Sequence, residues 1–187
     1  VTRDKNGNPV RAVGIHQDID NKKRAQQKIK YLSFHDQLTD LYNRRYFENE
    51  IERLNQSRQL PVSIIMGDMD SFKIINDNYG HMIGDKYLKE IGKVIKEVTR
   101  EEDIVARIAG DEFAIILPET NSDSAQKICE RIQNKCKSIN ETEELEENLS
   151  ITLGHAVLTD KCQDLYDIFN KADKEMYKNK DYKLEIR

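Results

Sequence analysis

Four acidic residues carry the strongest chemical signal in this sequence. Asp68 closes the apolar run Val62-Ser63-Ile64-Ile65-Met66-Gly67, and Asp70 follows two residues later. Asp111 and Glu112 stand together after Gly110, between the apolar runs Ile104–Arg107 and Phe113–Leu117. A carboxylate at the end of a buried strand is fixed by the strand and exposed by the loop that follows, a common place for chemistry. Asp70 is positioned to cap a helix opening at Ser71, whereas Asp68 has no such structural duty. Taken alone, Asp111-Glu112 is equally an ordinary solvated acidic turn. Gly110 takes positive φ at low cost, so the flanking runs read as a β-hairpin with both carboxylates at or beside its tip. With the strand ending at Asp68 beside that hairpin, the convergent carboxylates suit one or two Mg²⁺ (or Mn²⁺) ions. Such ions bridge a nucleoside triphosphate and assist in-line attack at phosphorus. Lys73 and Lys180 supply cations for the polyphosphate, and the main-chain amides of residues 69–72 add an anion site.

These residues need a rigid frame, and the hydrophobic periodicity describes one. The helical pattern opens near Ser33–Asp36 and resumes over Tyr46–Leu54. From Val62 the order is strand, two helices, strand–strand, helix, strand, helix. The short helix Ser71–Tyr79 stops at Gly80. Gly84-Asp85 starts a longer helix with Leu88, Ile91, Val94, Ile95 and Val98 on one face. Asn121 to Asp123 offer caps for the helix carrying Ala125, Ile128, Ile132, Cys136 and Ile139. Asn140 to Asn148 is an acidic run that reads as a solvated loop. Leu149 to Val157 alternates as a strand, with His155 as an ordinary strand histidine, and Leu165, Ile168, Phe169, Ala172 and Met176 mark the last amphipathic helix. The fold class is α+β: a central, mostly antiparallel sheet covered by helices, in the ferredoxin-like plan shared by nucleotidyl-cyclase palms.

The chain has 187 residues, a formal net charge of −4, and 37% hydrophobic and 34% charged residues. The negative balance gives no general attraction to nucleic acid, so an anionic ligand must be held by local cations. No apolar run reaches the ~20 residues of a membrane span. Cys129, Cys136 and Cys162 lack metal-ligand spacing and read as free thiols, which suits a reducing cytoplasm, any membrane anchor lying outside this stretch. Residues 1–20 form a turn around Asn6-Gly7 and an alternating strand, Val10–Ile15, too small to bury a core. Residues 21–32 read as a linker helix with a thin stripe of Ala25, Ile29 and Leu32, either solvated or a parallel dimerising helix. The main domain then covers residues 33–187.

Ala109-Gly110-Asp111-Glu112-Phe113 resembles the signature of the GGDEF family of diguanylate cyclases, with alanine in the first position. Asp68 to Asp77, Tyr79-Gly80-His81 and Gly84-Asp85 match that family's second block, and Asp36 to Arg45 its leading motif. Residues 1–20 resemble the closing strands of a PAS sensor. The resemblance implies condensation of two GTP molecules into cyclic di-GMP and pyrophosphate across a homodimer, one GTP per protomer. It implies Asp68, Asp111 and the Met69 carbonyl as metal ligands, Asp111, Glu112 and Lys73 in catalysis, and Asn76 and Asp85 as readers of guanine. Phe72, Lys73 and Lys180 would lie against the phosphates. Arg100-Glu101-Glu102-Asp103 matches the family's arginine-x-x-aspartate inhibitory site for the product, with Arg131 as a second arginine contact.

Two positions depart from the pattern. Ala109 adds a methyl at a tight turn, costing on the order of 1 kcal/mol if the turn needs positive φ there. Leu184 stands where the family often has an arginine, so either Lys183 substitutes or one phosphate contact is lost. These departures leave open a degenerate module that binds GTP or cyclic di-GMP without turnover. The complete set of carboxylates and guanine readers favours the enzyme.

Overall fold

The computed structural model describes residues 2–11, 20–57, 59–142, 144–160 and 162–185. They fall into two units, Val1–Ser33 and Phe34–Arg187.

In the first unit, strands β1 (Thr2–Arg3) and β2 (Pro9–Arg11) pair antiparallel. Their turn is built by Asp4, whose carboxylate accepts from the Asn6 and Asn8 amides at 2.8 and 2.9 Å, with Gly7 at φ 83°. The remainder of the expected strand, residues 12–15, lies outside the described residues. Helix α1 (Asp20–Phe34) follows, with Ile29 and Leu32 exposed.

The second unit is one five-stranded sheet in the order β3-β5-β6-β4-β7. Its strands are β3 (Tyr42–Asn43), β4 (Val62–Met69), β5 (Ile104–Ala109), β6 (Glu112–Pro118) and β7 (Ile151–Leu158). Its helices are α2 (Arg44–Asn55), α3 (Phe72–Tyr79), α4 (His81–Val98), α5 (Ser122–Thr142) and α6 (Leu165–Glu185). All pairings are antiparallel except β3 with β5. Central β4 is buried along its whole length because both faces are covered. On one face Ile65, Phe113 and Ile115 pack under α4 and α5; on the other Ile64, Met66, Ala114 and Ile116 pack under α2 and α6. This is the α+β, mostly antiparallel architecture that the periodicity indicates. Cys129 and Cys136 are buried free thiols, pushed up to about 12 by burial, and Cys162 is an exposed one. His155 is half-buried, 3.1 Å from Ser122 Oγ and 3.5 Å from Glu175. Among the described residues no helix is long and apolar enough to cross a membrane.

Four local expectations are corrected. No second helix begins at Ser33–Asp36: α1 runs to Phe34 and residues 36–41 form a turn. Asp36 drives this turn by accepting from the Thr39 amide and hydroxyl, and Asp40 is left-handed at φ 60°, which ends helical propagation. Asp70 does not cap α3. Ser71 occupies that position at φ 60° without a side-chain cap bond, and Asp70 turns inward instead. Helix α4 starts at His81, not Gly84, because Gly80 at φ 83° already reverses the chain. The acidic run is partly helical, since α5 continues to Thr142.

Candidate active site

Antiparallel register places the chemistry. Asp68, next to last in β4, stands directly opposite Glu112, the first residue of β6, and the Met69 amide donates to the Asp111 carbonyl at 3.1 Å. The hairpin tip is thereby fixed against the end of the central strand, and the acidic residues of both segments converge. Asp68 is buried and accepts from the Lys180 ammonium. Asp70 is also buried, with donors on both oxygens: Thr152 Oγ1 at 2.6 Å, Ser150 Oγ, and Lys183 Nζ at 2.8 Å.

Both lysines come from α6, whose placement is set by a glycine. A Cβ on Gly154 of β7 would lie 2.1 Å from the Met176 main-chain nitrogen, so the helix backbone rides directly on the strand. Asn179 fastens it further by donating to the Leu153 carbonyl at 2.8 Å.

The electrostatics distinguish the two aspartates. Burial pushes the Asp68 carboxyl above its ordinary range, and the Asp111 charge reinforces the push against the opposing Lys180. Burial acts on Asp70 too, but the bonds from Lys183, Ser150 and Thr152 outweigh it and hold that carboxyl low. Glu112 is raised by burial and by the charges of Asp68, Asp173 and Asp111. Burial works against the charged Lys180, yet its bond to Asp68 raises it overall. The cluster is thus an anion-rich basin at the sheet's end that favours cations.

A second group lies between α3 and α4. Asn76 Oδ1 is buried and has no hydrogen-bond partner, an expensive condition for an amide oxygen. Gly84 makes room for it: a Cβ there would lie 2.0 Å from Asn76 Oδ1 and 3.1 Å from Phe72 Cε2. Asp85 follows on α4 and is exposed. The Phe72 ring packs partly buried against the core, and Lys73 is exposed.

A third group surrounds the turn before β5. Asp103 is buried, accepts from the Arg100 amide at 2.7 Å and is raised by burial. The Arg100 side chain remains exposed, 3.7 Å from Glu102. Arg100, Asp103 and Arg131 line a cavity of ≈ 200 Å³, together with Lys127 and Ser124 of α5. The structure therefore brings the three inhibitory-site candidates together.

Two findings bear on the signature hairpin. Ala109 is exposed at the end of β5, paired with Glu112, and is not among the described residues with positive φ; Gly110 carries it at 39°. The condition for strain at Ala109 is not met. Arg107, given no role from sequence, is the connector: it donates to the Gly110 carbonyl at 2.8 Å and to Asp36 at 3.0 Å. The signal was an arginine two residues before the turn, unreadable until the fold brings Asp36 beside it. Lys183 donates to Asp70, Thr152 Oγ1 and the Ile151 carbonyl, so its ammonium is engaged at the strand ends in this structure. The Leu184 side chain lies outside the described residues.

The Asp68 and Asp111 carboxylates lie close enough for the Asp111 charge to raise Asp68. Among the described residues no group of three or more His, Cys, Asp or Glu stands ready to hold a metal ion, so a hard cation here would draw on this oxygen pair and on its own ligands. Mg²⁺ characteristically accepts one or two carboxylates and fills its remaining positions with phosphate and water.

Comparison with known proteins identifies the family. The family model described as "Diguanylate cyclase, GGDEF domain" matches residues 33–184. The chain is 34% identical over 157 residues to diguanylate cyclase DgcS of Shewanella oneidensis, covering 82% of this chain and 52% of that protein. It spans about half the length of the curated relatives it matches, or less. The coiled coil and GGDEF domain of DgcB from Caulobacter crescentus, in complex with c-di-GMP, superposes with a TM-score of 0.80 at 24% identity, covering 87% and 88% of the two chains. The active GGEEF domain of a diguanylate cyclase from Vibrio cholerae gives a TM-score of 0.64 at 31% identity, with 73% and 88% covered. From residue 33 to 184 the chain belongs to the GGDEF diguanylate cyclase family.

Proposed function

We propose that this chain is the catalytic module of a diguanylate cyclase that condenses two GTP into cyclic di-GMP and two pyrophosphates. The observation that carries the reading is the convergence of Asp68, Asp111 and Glu112 at the end of β4 with Lys180 among them. Asp68, Asp111 and the Met69 carbonyl would hold Mg²⁺ or Mn²⁺. When bound, the metal supplies charge for the polyphosphate and polarises the α-phosphate. Lys180 and Lys73 neutralise the phosphates, with Phe72 beside them; the Met69 and Asp70 amides of the expected anion site are instead taken by the Asp111 and Ser150 carbonyls. Asn76, with its orphan oxygen, and Asp85 take the donors of guanine's Watson–Crick edge, and Gly84 gives the Asn76 amide its room. Glu112 stands opposite Asp68 across the β4–β6 pair and so lies beside the proposed metal ligands. The other GTP comes from a second protomer, and the exposed Ile29 and Leu32 of α1 offer a seam for such a homodimer. We further infer product inhibition at Arg100, Asp103 and Arg131, and a PAS-type sensor supplying the input through residues 1–32.

One observation favours a second reading, a module that binds GTP or cyclic di-GMP without turnover: Lys183 is engaged by Asp70, leaving one phosphate contact fewer. Losing such a contact costs about 1.5–3 kcal/mol, or roughly ten- to a hundredfold in binding or rate. Calorimetry with GTP, paired with nucleotide chromatography after incubation with GTP and Mg²⁺, separates the two. Cyclic di-GMP formation supports the enzyme, and tight binding of intact GTP selects the binding module.

A further inference from the structure

The lysines at the end of α6 each take one carboxylate of the Asp68–Asp70 stretch, but in different settings. Asp70 is enclosed by Lys183, Ser150 and Thr152, and Lys183 itself also donates to Thr152 Oγ1 at 2.9 Å and to the Ile151 carbonyl at 3.4 Å. That pair is a clasp between α6 and the strand ends. Asp68, among the described residues, has one side-chain donor, the ammonium of Lys180. The Asp68 side chain is 8% exposed and that of Lys180 is 32% exposed, so a flexible and solvent-reachable cation covers an otherwise undressed buried anion.

We propose that Lys180 serves as the resident counter-charge of Asp68 in the nucleotide-free protein, and leaves it only when metal and nucleotide arrive together. The two therefore bind with positive coupling. This inference rests on reading the basin as a metal and GTP site. A metal ion arriving alone must displace the ammonium and leave it beside a divalent cation. A nucleotide arriving alone brings its polyphosphate to a basin containing Asp68, Asp111, Glu112 and Asp173, which repels it. Arriving together, the carboxylates take the metal and the polyphosphate takes Lys180, so that every charge keeps a partner. By linkage each ligand tightens the other by the same factor.

The test is a Mn²⁺ titration of this chain, reading free Mn²⁺ by electron paramagnetic resonance, with and without a non-hydrolysable α,β-methylene GTP analogue, the Mn²⁺ chelated by the analogue alone being measured without protein and subtracted. The analogue is expected to tighten Mn²⁺ binding to the unmodified protein at least about tenfold. Lys180→Met and Lys180→Gln should bind Mn²⁺ alone about tenfold more tightly than the unmodified protein, with correspondingly weaker coupling. Lys183→Met keeps Lys180 and should retain weak nucleotide-free binding. Unchanged or weaker Mn²⁺ affinity in the folded Lys180 variants overturns the proposal, as does equal tightening in Lys183→Met. Absence of Mn²⁺ binding in every form, even with the analogue, overturns the metal and GTP reading along with it.

Discussion

At the residue scale, two aspartates separated by one methionine do opposite things. Asp70 has a depressed carboxyl, so its ionised form is worth more in the folded chain than in the unfolded one. That stability is present above the ordinary aspartate range and is lost as pH falls through the depressed folded value. Asp70→Ala strands Lys183, Ser150 and Thr152 and should cost on the order of 3 kcal/mol in denaturant unfolding. Asp68 is raised, so its ionisation at neutral pH opposes folding, and the contribution reverses sign relative to Asp70. Asp68→Asn should therefore raise the melting temperature by a few degrees while abolishing turnover, the trade-off expected where a site stores like charges. A lowered melting temperature in Asp68→Asn would show that its charge is structural. Gly84→Ala offers a cleaner probe of base recognition, because its methyl would occupy the position of the Asn76 amide. The expected result is a rise in KM for GTP of about tenfold or more, the scale of one lost polar contact. An unchanged KM would remove Asn76 from the nucleotide site. Ala109, exposed and without positive φ, should by contrast tolerate glycine with little change in rate.

At the scale of elements, the site depends on two fastenings. Arg107 ties the turn at Asp36 to the hairpin at Gly110, with side-chain exposures of 15% for Arg107 and 26% for Asp36, buried enough for the pair to matter. Arg107→Ala should cost about 2 kcal/mol of stability and lower turnover, because the tip bearing Asp111 loses its brace; full activity at unchanged stability would contradict that role. The second fastening is α6 on β7 at Gly154, which sets the reach of Lys180 and Lys183. The order of elements from Val62 was legible because each is long and periodic, and the carboxylates because they follow apolar runs. What was not legible involved partners distant in sequence. Asp70 looks like a cap until Ser150, Thr152 and Lys183 are brought to it. Lys183 looks free for phosphate for the same reason. Strand β3, two residues long, has no period to detect and exists because the β5 edge receives it. The turn over residues 36–41 read as helix because Asp36, Thr39 and Asp40 are compatible with a helical pattern until the Asp36 side chain competes for the backbone.

For the whole molecule, the proposed active centre shared between two protomers would make rate depend on concentration. Turnover per chain should fall on dilution, in step with the loss of dimer measured by sedimentation; a specific rate independent of dimer content would place both GTP molecules in one protomer. The cavity containing Arg100, Asp103 and Arg131 predicts self-limitation: progress curves should flatten as product accumulates, and Arg100→Ala should raise the plateau. Identical plateaus would leave that cavity without an inhibitory role. The central claim is tested most directly by following GTP with Mg²⁺ at high protein concentration and quantifying both products. The account predicts one cyclic di-GMP and two pyrophosphates for every two GTP consumed, and no turnover in Asp111→Asn. GTP recovered intact from the folded, concentrated protein, or the same turnover in Asp111→Asn, would contradict it.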